Sequence, residues 1–391
     1  MKEIQNILEV YDQTDFSERK AVLATVVKVQ GSSYRNPGAR MLILDNARWV
    51  GSISGGCLEG DAMRKAKVVM RDKKPMFLTY DTMDDENNTL GIGLGCNGII
   101  DVLMEAVDPS DANNPVEKLR ELPSIKDLTA MALVYQSEHE KCEVGARCFF
   151  ADKQEQELRD LVEDDLAASL DEKRSKVQSY EVDGQKVEVL LEVIEPAIEL
   201  LIFGGGFDAK PVTQLAKALG WKVRVSDECI AHIAPSNFPA ADEVVACQRE
   251  YVHRDVEVSP YTAIVLMSHN YHYDLEVLKQ VKDTAAPYIG ILGPKKRTDK
   301  LFAELEKQNI QLTSRDLERI HTPIGLDIGA ESPEEIALAI LGEVLAKFSG
   351  RSGGHLKYHK GPIHKREGVN DLVFKQLYLS SSDQEDVQEI G

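Results

Sequence analysis

The apolar run at residues 199–203 (ELLIF) stops on Gly204-Gly205-Gly206-Phe207-Asp208-Ala209, and a helix-like stretch follows as far as Gly220. Few folds accommodate that order. A buried strand that breaks on glycines and restarts as a helix fits the pattern G-x-G-x-x-A. There the glycines let the backbone approach a pyrophosphate, and the helix N-terminus offers unpaired N–H groups. Asp227 closes the next strand, the position from which an acid meets ribose hydroxyls. Strand candidates at 222–226, 243–246, 263–267 and 288–292 alternate with helix-like stretches. A Rossmann-like parallel sheet is therefore expected in the C-terminal half. Gly204, Gly206 and Asp227 are its candidate nucleotide contacts, although a scaffold with no ligand would need the same glycines for the turn alone.

Other residues cluster where this sheet would bind ligands. His269 and His272 follow the strand TAIVLMS, placed to donate to an anion or to move a proton, or to stand as surface histidines. Gly293-Pro294-Lys295-Lys296-Arg297 follows another strand and sets three cations at a helix start, so Lys295 and Arg297 are candidate phosphate contacts against the plainer reading of a solvated charge run. Ser332-Pro333-Glu334-Glu335 supplies an N-cap, a proline at the first helical position and early acids for the last helix. Beyond Phe348 the chain turns to Gly, His and Lys and then to acids, a tail expected to be partly ordered. His355 and His359 have metal-ligand spacing for a helix, but the flanking glycines and Pro362 disfavour one.

At 391 residues the chain exceeds one ordinary core. The expected division is an N-terminal domain over 1–195, with an extension at 110–195, a Rossmann-like domain over 196–350, and the tail 351–391. The first domain reads as mixed α+β: a helix near the start, a β-branched run at 21–29, a strand at 41–44, and a helix-like stretch at 61–71. Three glycine-rich loops interrupt it, at 31–40 (GSSYRNPGAR), 51–60 (GSISGGCLEG) and 91–98 (GIGLGCNG). Asp183-Gly184 between alternating runs predicts a hairpin. No internal repeat is evident. Cys57 follows Gly55-Gly56, Glu59 lies two residues on, and Cys96 sits in the third loop. Thiols on flexible backbone near a helix start suit a soft metal or attack on sulfur, though a lone cysteine in a glycine turn also serves structure. The six cysteines form no C-x-x-C pair, which argues against a zinc ribbon or finger. A net charge of −19 disfavours nucleic acid and anionic membranes. No apolar run reaches the ~20 residues of a membrane helix, and a cytoplasmic chain is expected.

The runs GSSYRNPGARMLI, GSISGGCLEGD and GIGLGCNGIIDVLMEAV resemble the N-terminal domain of the XdhC/CoxI family, and LLIFGGGFDAKPVTQLAKALGWKVRVSDE, YIGILGPKKR and PIGLDIGAESPEEIALAILGEVL resemble its Rossmann domain. The resemblance implies an accessory protein that binds molybdenum cofactor of the molybdopterin type, protects it, and passes it to a xanthine dehydrogenase-type hydroxylase. A cysteine desulfurase is a further implied partner, and a homodimer is the base-rate assembly. Cys57, Glu59 and Cys96 carry over as family-motif positions, with the two thiols as candidates near molybdenum. Phe207 and Pro294 depart from the family pattern, which often has histidine and serine there. No catalytic residue is assigned. The alternative is an NAD(P)-dependent oxidoreductase, suggested by the glycine signature alone, with His269 as its acid–base candidate. NAD(P) or a pterin dinucleotide would then fill the Rossmann site. A purely structural partner of the hydroxylase would leave the two cysteine loops unexplained.

Overall fold

The computed structural model describes residues 1–31, 33–81, 98–111, 113–150 and 156–360. Two compact units are built by residues 3–195 and 196–359.

The first unit opens with helix α1 (Lys2–Asp12), which buries Ile4, Ile7, Leu8 and Tyr11 along one stripe. Strands β1 (Ala21–Gly31), β2 (Arg40–Leu44) and β3 (Trp49–Gly51), helix α2 (Glu59–Asp72), and strands β4 (Met76–Asp81) and β5 (Gly98–Val107) follow. The strands pair antiparallel in the order β3-β2-β1-β5-β4. Helix α2 covers one face through Ala62, Ala66, Val69 and Met70, small and long side chains alternating against Val22, Val26, Met41 and Met104. The stretch at 110–195 forms a second antiparallel sheet from β6 (Thr129–Ser137), β7 (Arg147–Phe149), helix α3 (Gln156–Asp171), β8 (Lys176–Val182) and β9 (Gln185–Ile194), in the order β7-β6-β9-β8. Asp183 and Gly184 join β8 to β9 with φ of 50° and 77°, the left-handed pair that a two-residue hairpin requires.

The expectation of no internal repeat is corrected here. β1-β2-α2-β4-β5 and β6-β7-α3-β8-β9 are two copies of one fold, with the same strand order and directions. Each first strand carries a bulge, at Val26/Lys28 and at Val134/Gln136. Just before each second strand a glycine donates to the bulge carbonyl, Gly38 to Val26 and Gly145 to Val134, both at 2.8 Å. The following arginine then donates to that glycine's own carbonyl, Arg40 to Gly38 and Arg147 to Gly145, both at 2.7 Å. Each arginine ends on the other copy's last strand. Arg40 Nη1 donates to Glu192 at 3.0 Å and Arg147 Nη1 to Glu105 at 2.9 Å, all four groups buried. The reciprocity is that of a two-fold axis inside one chain. It left its trace in the sequence as Gly-Ala-Arg at 38–40 and 145–147, and as DVLMEAV at 101–107 beside EVLLEVI at 188–194. These matches are too short and too far apart to stand out among β-branched runs.

The second unit is a parallel sheet with helices on both faces. It runs β10 (Glu199–Phe203), α4 (Ala209–Ala218), β11 (Lys222–Asp227), β12 (Glu243–Ala246), α5 (Val252–Asp255), β13 (Thr262–Leu266), α6 (Tyr271–Val281), β14 (Tyr288–Ile291), α7 (Lys295–Lys307), α8 (Ser314–Arg319), β15 (Ile320–His321) and α9 (Pro333–Phe348). The order β12-β11-β10-β13-β14-β15 is parallel throughout and reverses direction between β10 and β13. Alternation along β10 feeds two cores: Leu200 and Ile202 pack toward α4 and α9, Leu201 and Phe203 toward α6 and α7. Ser332 caps α9 in a reciprocal box with Glu335. The short β3, α8 and β15 escaped the sequence reading, because runs of two to six residues carry too little periodicity to register.

Candidate functional site

Topology gathers the strand ends that flank the three glycine-rich segments. β1 ends at Gly31, β2 starts at Arg40, β3 ends at Gly51, β4 ends at Asp81 and β5 starts at Gly98, all at one edge of the first sheet. Gly31 pairs with Gly98 and Asp81 with Ile99, so the segment carrying Cys96 leaves and rejoins the sheet at that edge. Cys96 itself lies outside the described residues. The first loop is pinned to α1, where Glu3 accepts from the Arg40 amide at 2.8 Å and pairs with Arg35. Its exposed Tyr34 lies against Gly55 of the second loop, where a Cβ would fall 2.8 Å from the ring.

Glu59 organises the second loop. Its carboxylate, only 5% exposed, accepts from the Ser52 hydroxyl (2.8 Å), the Ser54 hydroxyl (2.5 Å) and the amides of Ile53 (3.2 Å), Ser54 (2.9 Å), Gly55 (3.2 Å), Gly56 (2.9 Å) and Leu58 (3.1 Å). Burial alone would raise its pKa. The hydroxyl donors Ser54 and Ser52, with the backbone amides, outweigh that and hold it at about 2. The chain thus wraps a charge of its own, made possible by Gly55 and Gly56 at φ of 98° and 122°. Five amides of the loop are spent on Glu59 rather than presented to an anion. What the loop presents is half-exposed Cys57, on a backbone fixed from within.

The carboxyl edge of the second unit is equally self-engaged. Gly204 has φ of 131°, and a Cβ there would meet the Met267 carbonyl at 2.5 Å, so glycine is required where β10 and β13 diverge. A Cβ on Gly206 would meet Asp208 Oδ1 at 2.7 Å. Asp227, 5% exposed, accepts from the Gly205 amide (2.8 Å) and the Cys229 amide (2.9 Å) and lies 3.2 Å from His232 Nδ1. His232 also lies over Gly205, its Cβ 2.8 Å from where one would stand on the glycine. His269 takes the left-handed φ of 58° and brings Nε2 to 2.8 Å from Asp208 Oδ2, bridging the switch point. Beneath it fully buried Asp274 accepts from Ser268 and Arg297, each at 2.5 Å. Burial pushes the Asp274 carboxyl up, with Ser268 and Arg297 opposing. Arg297 is therefore committed to an acid. Lys295, Lys296 and Lys300 have no acidic partner among the described residues, and a cavity of about 590 Å³ opens beside Tyr271, Pro294, Lys296, Arg297 and Lys300.

His272, His355 and His359 are exposed, and no group of three or more His, Cys, Asp or Glu could hold a metal ion among the described residues. Among the same residues no helix is long and apolar enough to cross a membrane. His232, the Asp208 partner of His269, and Ser268 with Asp274 were not singled out in the sequence. The one signal was their place in the segments that follow β10, β11 and β13.

A parallel sheet with a glycine turn at its switch point, preceded in the chain by an antiparallel unit of two like sheets, defines the architectural class. Residues 200–344 match the XdhC Rossmann domain and residues 17–81 match the XdhC and CoxI family. A protein from Bacillus subtilis (strain 168), named as a probable subunit of xanthine dehydrogenase, is 30% identical over 330 residues, 84% of this chain and 93% of that protein. The "Molybdenum cofactor insertion chaperone PaoD" of Escherichia coli (strain K12) is 24% identical over 340 residues, 87% of each chain. A crystal structure described as a xanthine dehydrogenase from Bacillus halodurans superposes with a TM-score of 0.69 at 28% identity, covering 90% of this chain and 97% of that one. The chain belongs to the XdhC and CoxI family.

Proposed function

We propose that this chain binds molybdenum cofactor as cargo at the glycine-loop edge of its first unit and delivers it to a xanthine dehydrogenase-type hydroxylase. The observation that carries the reading is the Glu59-wrapped loop, which holds Cys57 half-exposed on a rigid support. A thiolate there is a soft donor suited to a molybdenum centre, and rigidity keeps it placed while the cargo is open to chemistry. Cys96 enters the same edge in sequence and is proposed as a second thiol. A cysteine desulfurase would supply sulfur at this stage, and a homodimer is the proposed assembly. The relatives whose names refer to xanthine dehydrogenase and to cofactor insertion support the same role.

An NAD(P) or pterin dinucleotide at the Rossmann edge would need the Gly205 amide and Asp227 released from each other and His232 withdrawn. Lys295 is instead proposed to meet a single anionic group beside α7, where Arg297 is taken up by Asp274 and serves to hold the turn. The test is pterin fluorescence after oxidation of cofactor taken up by purified protein. The wild type is expected to yield the oxidised pterin and Cys57→Ser much less, with unchanged thermal unfolding. Equal pterin from wild type, Cys57→Ser and Cys96→Ser would remove the thiol role.

A further inference from the structure

The second copy of the repeat carries a groove at the same strand ends where the first copy carries its glycine loops. It is a cavity of about 710 Å³, bounded by the end of β6 (Tyr135 to Glu138), the start of β9 (Lys186 and Glu188), and Glu143 and Val144 before β7. The start of β4, from Lys74 to Phe77, closes the remaining side. In this copy the last two strands are joined by Asp183-Gly184 alone, where the first copy has residues 82–97.

We propose that this groove is a docking site for a basic, partly apolar polypeptide segment of another protein. The groove is separate from the Cys57 edge and would serve whatever cargo that edge holds. The floor is rigid and apolar: Phe77 stacks on buried Tyr135 with ring centroids 5.8 Å apart, and Val144 lies half-buried beside it. The Tyr135 hydroxyl donates to Glu188 at 3.1 Å, and Glu188 also holds Lys186, so these three are mutually satisfied. The rim differs. Exposed Glu138 and Glu143 make no side-chain hydrogen bond or ion pair among the described residues, and neither does Lys74. Two unanswered carboxylates against one ammonium, on a chain of net charge −19, select cations. A small cation in so open a groove would be screened by water and salt. Several cations at fixed spacing, with an apolar side chain between them to rest on Phe77 and Val144, gain from being linked. A polypeptide supplies that arrangement.

The test uses the full chain and a fluorescein-labelled hexapeptide of alternating Lys and Leu, read by anisotropy, with the Glu/Leu hexapeptide as counterpart. The variant Glu138→Lys/Glu143→Lys reverses the rim. Asp164→Lys/Glu172→Lys makes the same charge change at exposed positions on and just after α3. The expected result is binding of the basic peptide alone, weakened about tenfold by the rim variant, or ~1.4 kcal/mol, and about twofold or less by the α3 variant. Equal weakening by both variants, or equal binding of both peptides, would overturn the proposal. So would sedimentation showing that the rim variant dissociates an oligomer, since a second copy would then be the occupant.

Discussion

The two copies within the first unit share strand order, bulge, glycine turn and arginine, yet differ at one edge. In the first, residues 82–97 connect the last two strands; in the second, Asp183-Gly184 joins them directly. The contrast separates what the frame needs from what the loops add. What the two copies share closes hydrogen bonds and buries charge, whereas the Glu59-wrapped turn that carries Cys57 belongs to the first copy alone. The hairpin shows how little the frame needs at this point, and a longer connection is tolerated at modest entropic cost when its ends are already held together.

The largest effect expected is on the frame, and it should be the same in both copies. Arg40→Met and Arg147→Met each strand a buried glutamate and should lower unfolding free energy by about 3–5 kcal/mol, measured by urea denaturation. A large loss in one and none in the other would break the equivalence. Glu59→Gln belongs to the first copy alone and should cost about 1–3 kcal/mol, because the loop donors lose their charged acceptor. It should also raise the rate at which Cys57 reacts with a thiol reagent. Because the Glu59 pKa falls from 4.5 to about 2 on folding, its contribution is complete above pH 4.5 and fades as pH drops through 2. The stability gap between wild type and Glu59→Gln should therefore narrow over that window. The smallest effect is in the second copy's turn: Gly184→Ala meets no neighbour but forces alanine to φ of 77°, for about 1 kcal/mol, seen as a lowered Tm with no change in cargo uptake.

Much of the second unit was legible because its signals are local. A strand, a glycine turn, a helix and a serine cap each announce themselves within ten residues. The parallel sheet and the capped α9 are as the sequence implied. The hairpin at Asp183-Gly184 was legible for the same reason. The direction in which Asp227 points was not, because an acid at a strand end reads alike whether it faces a ribose or the Gly205 amide. Glu59 was named from its motif, but its enclosure by seven donors depends on how 52–58 curls back, and no spacing rule encodes that. The duplication was hidden for the opposite reason: its marks, Gly-Ala-Arg twice and two similar seven-residue strands, are non-local and gain meaning only when Arg40 is seen against Glu192 and Arg147 against Glu105.

Those crossed pairs also bear on the order of events as the chain is made. Arg40 and Glu192 are separated by 152 positions. When the ribosome has passed the three glycine-rich segments, Arg40 still lacks the acid that neutralises it, and no burial of that charge is favourable until the last strand of the second copy emerges. The Cys57 edge is translated early and is completed only when Glu192 has emerged. A nascent or truncated chain ending before residue 192 would hold every residue of the Cys57 loop while Arg40 still lacked its buried acid.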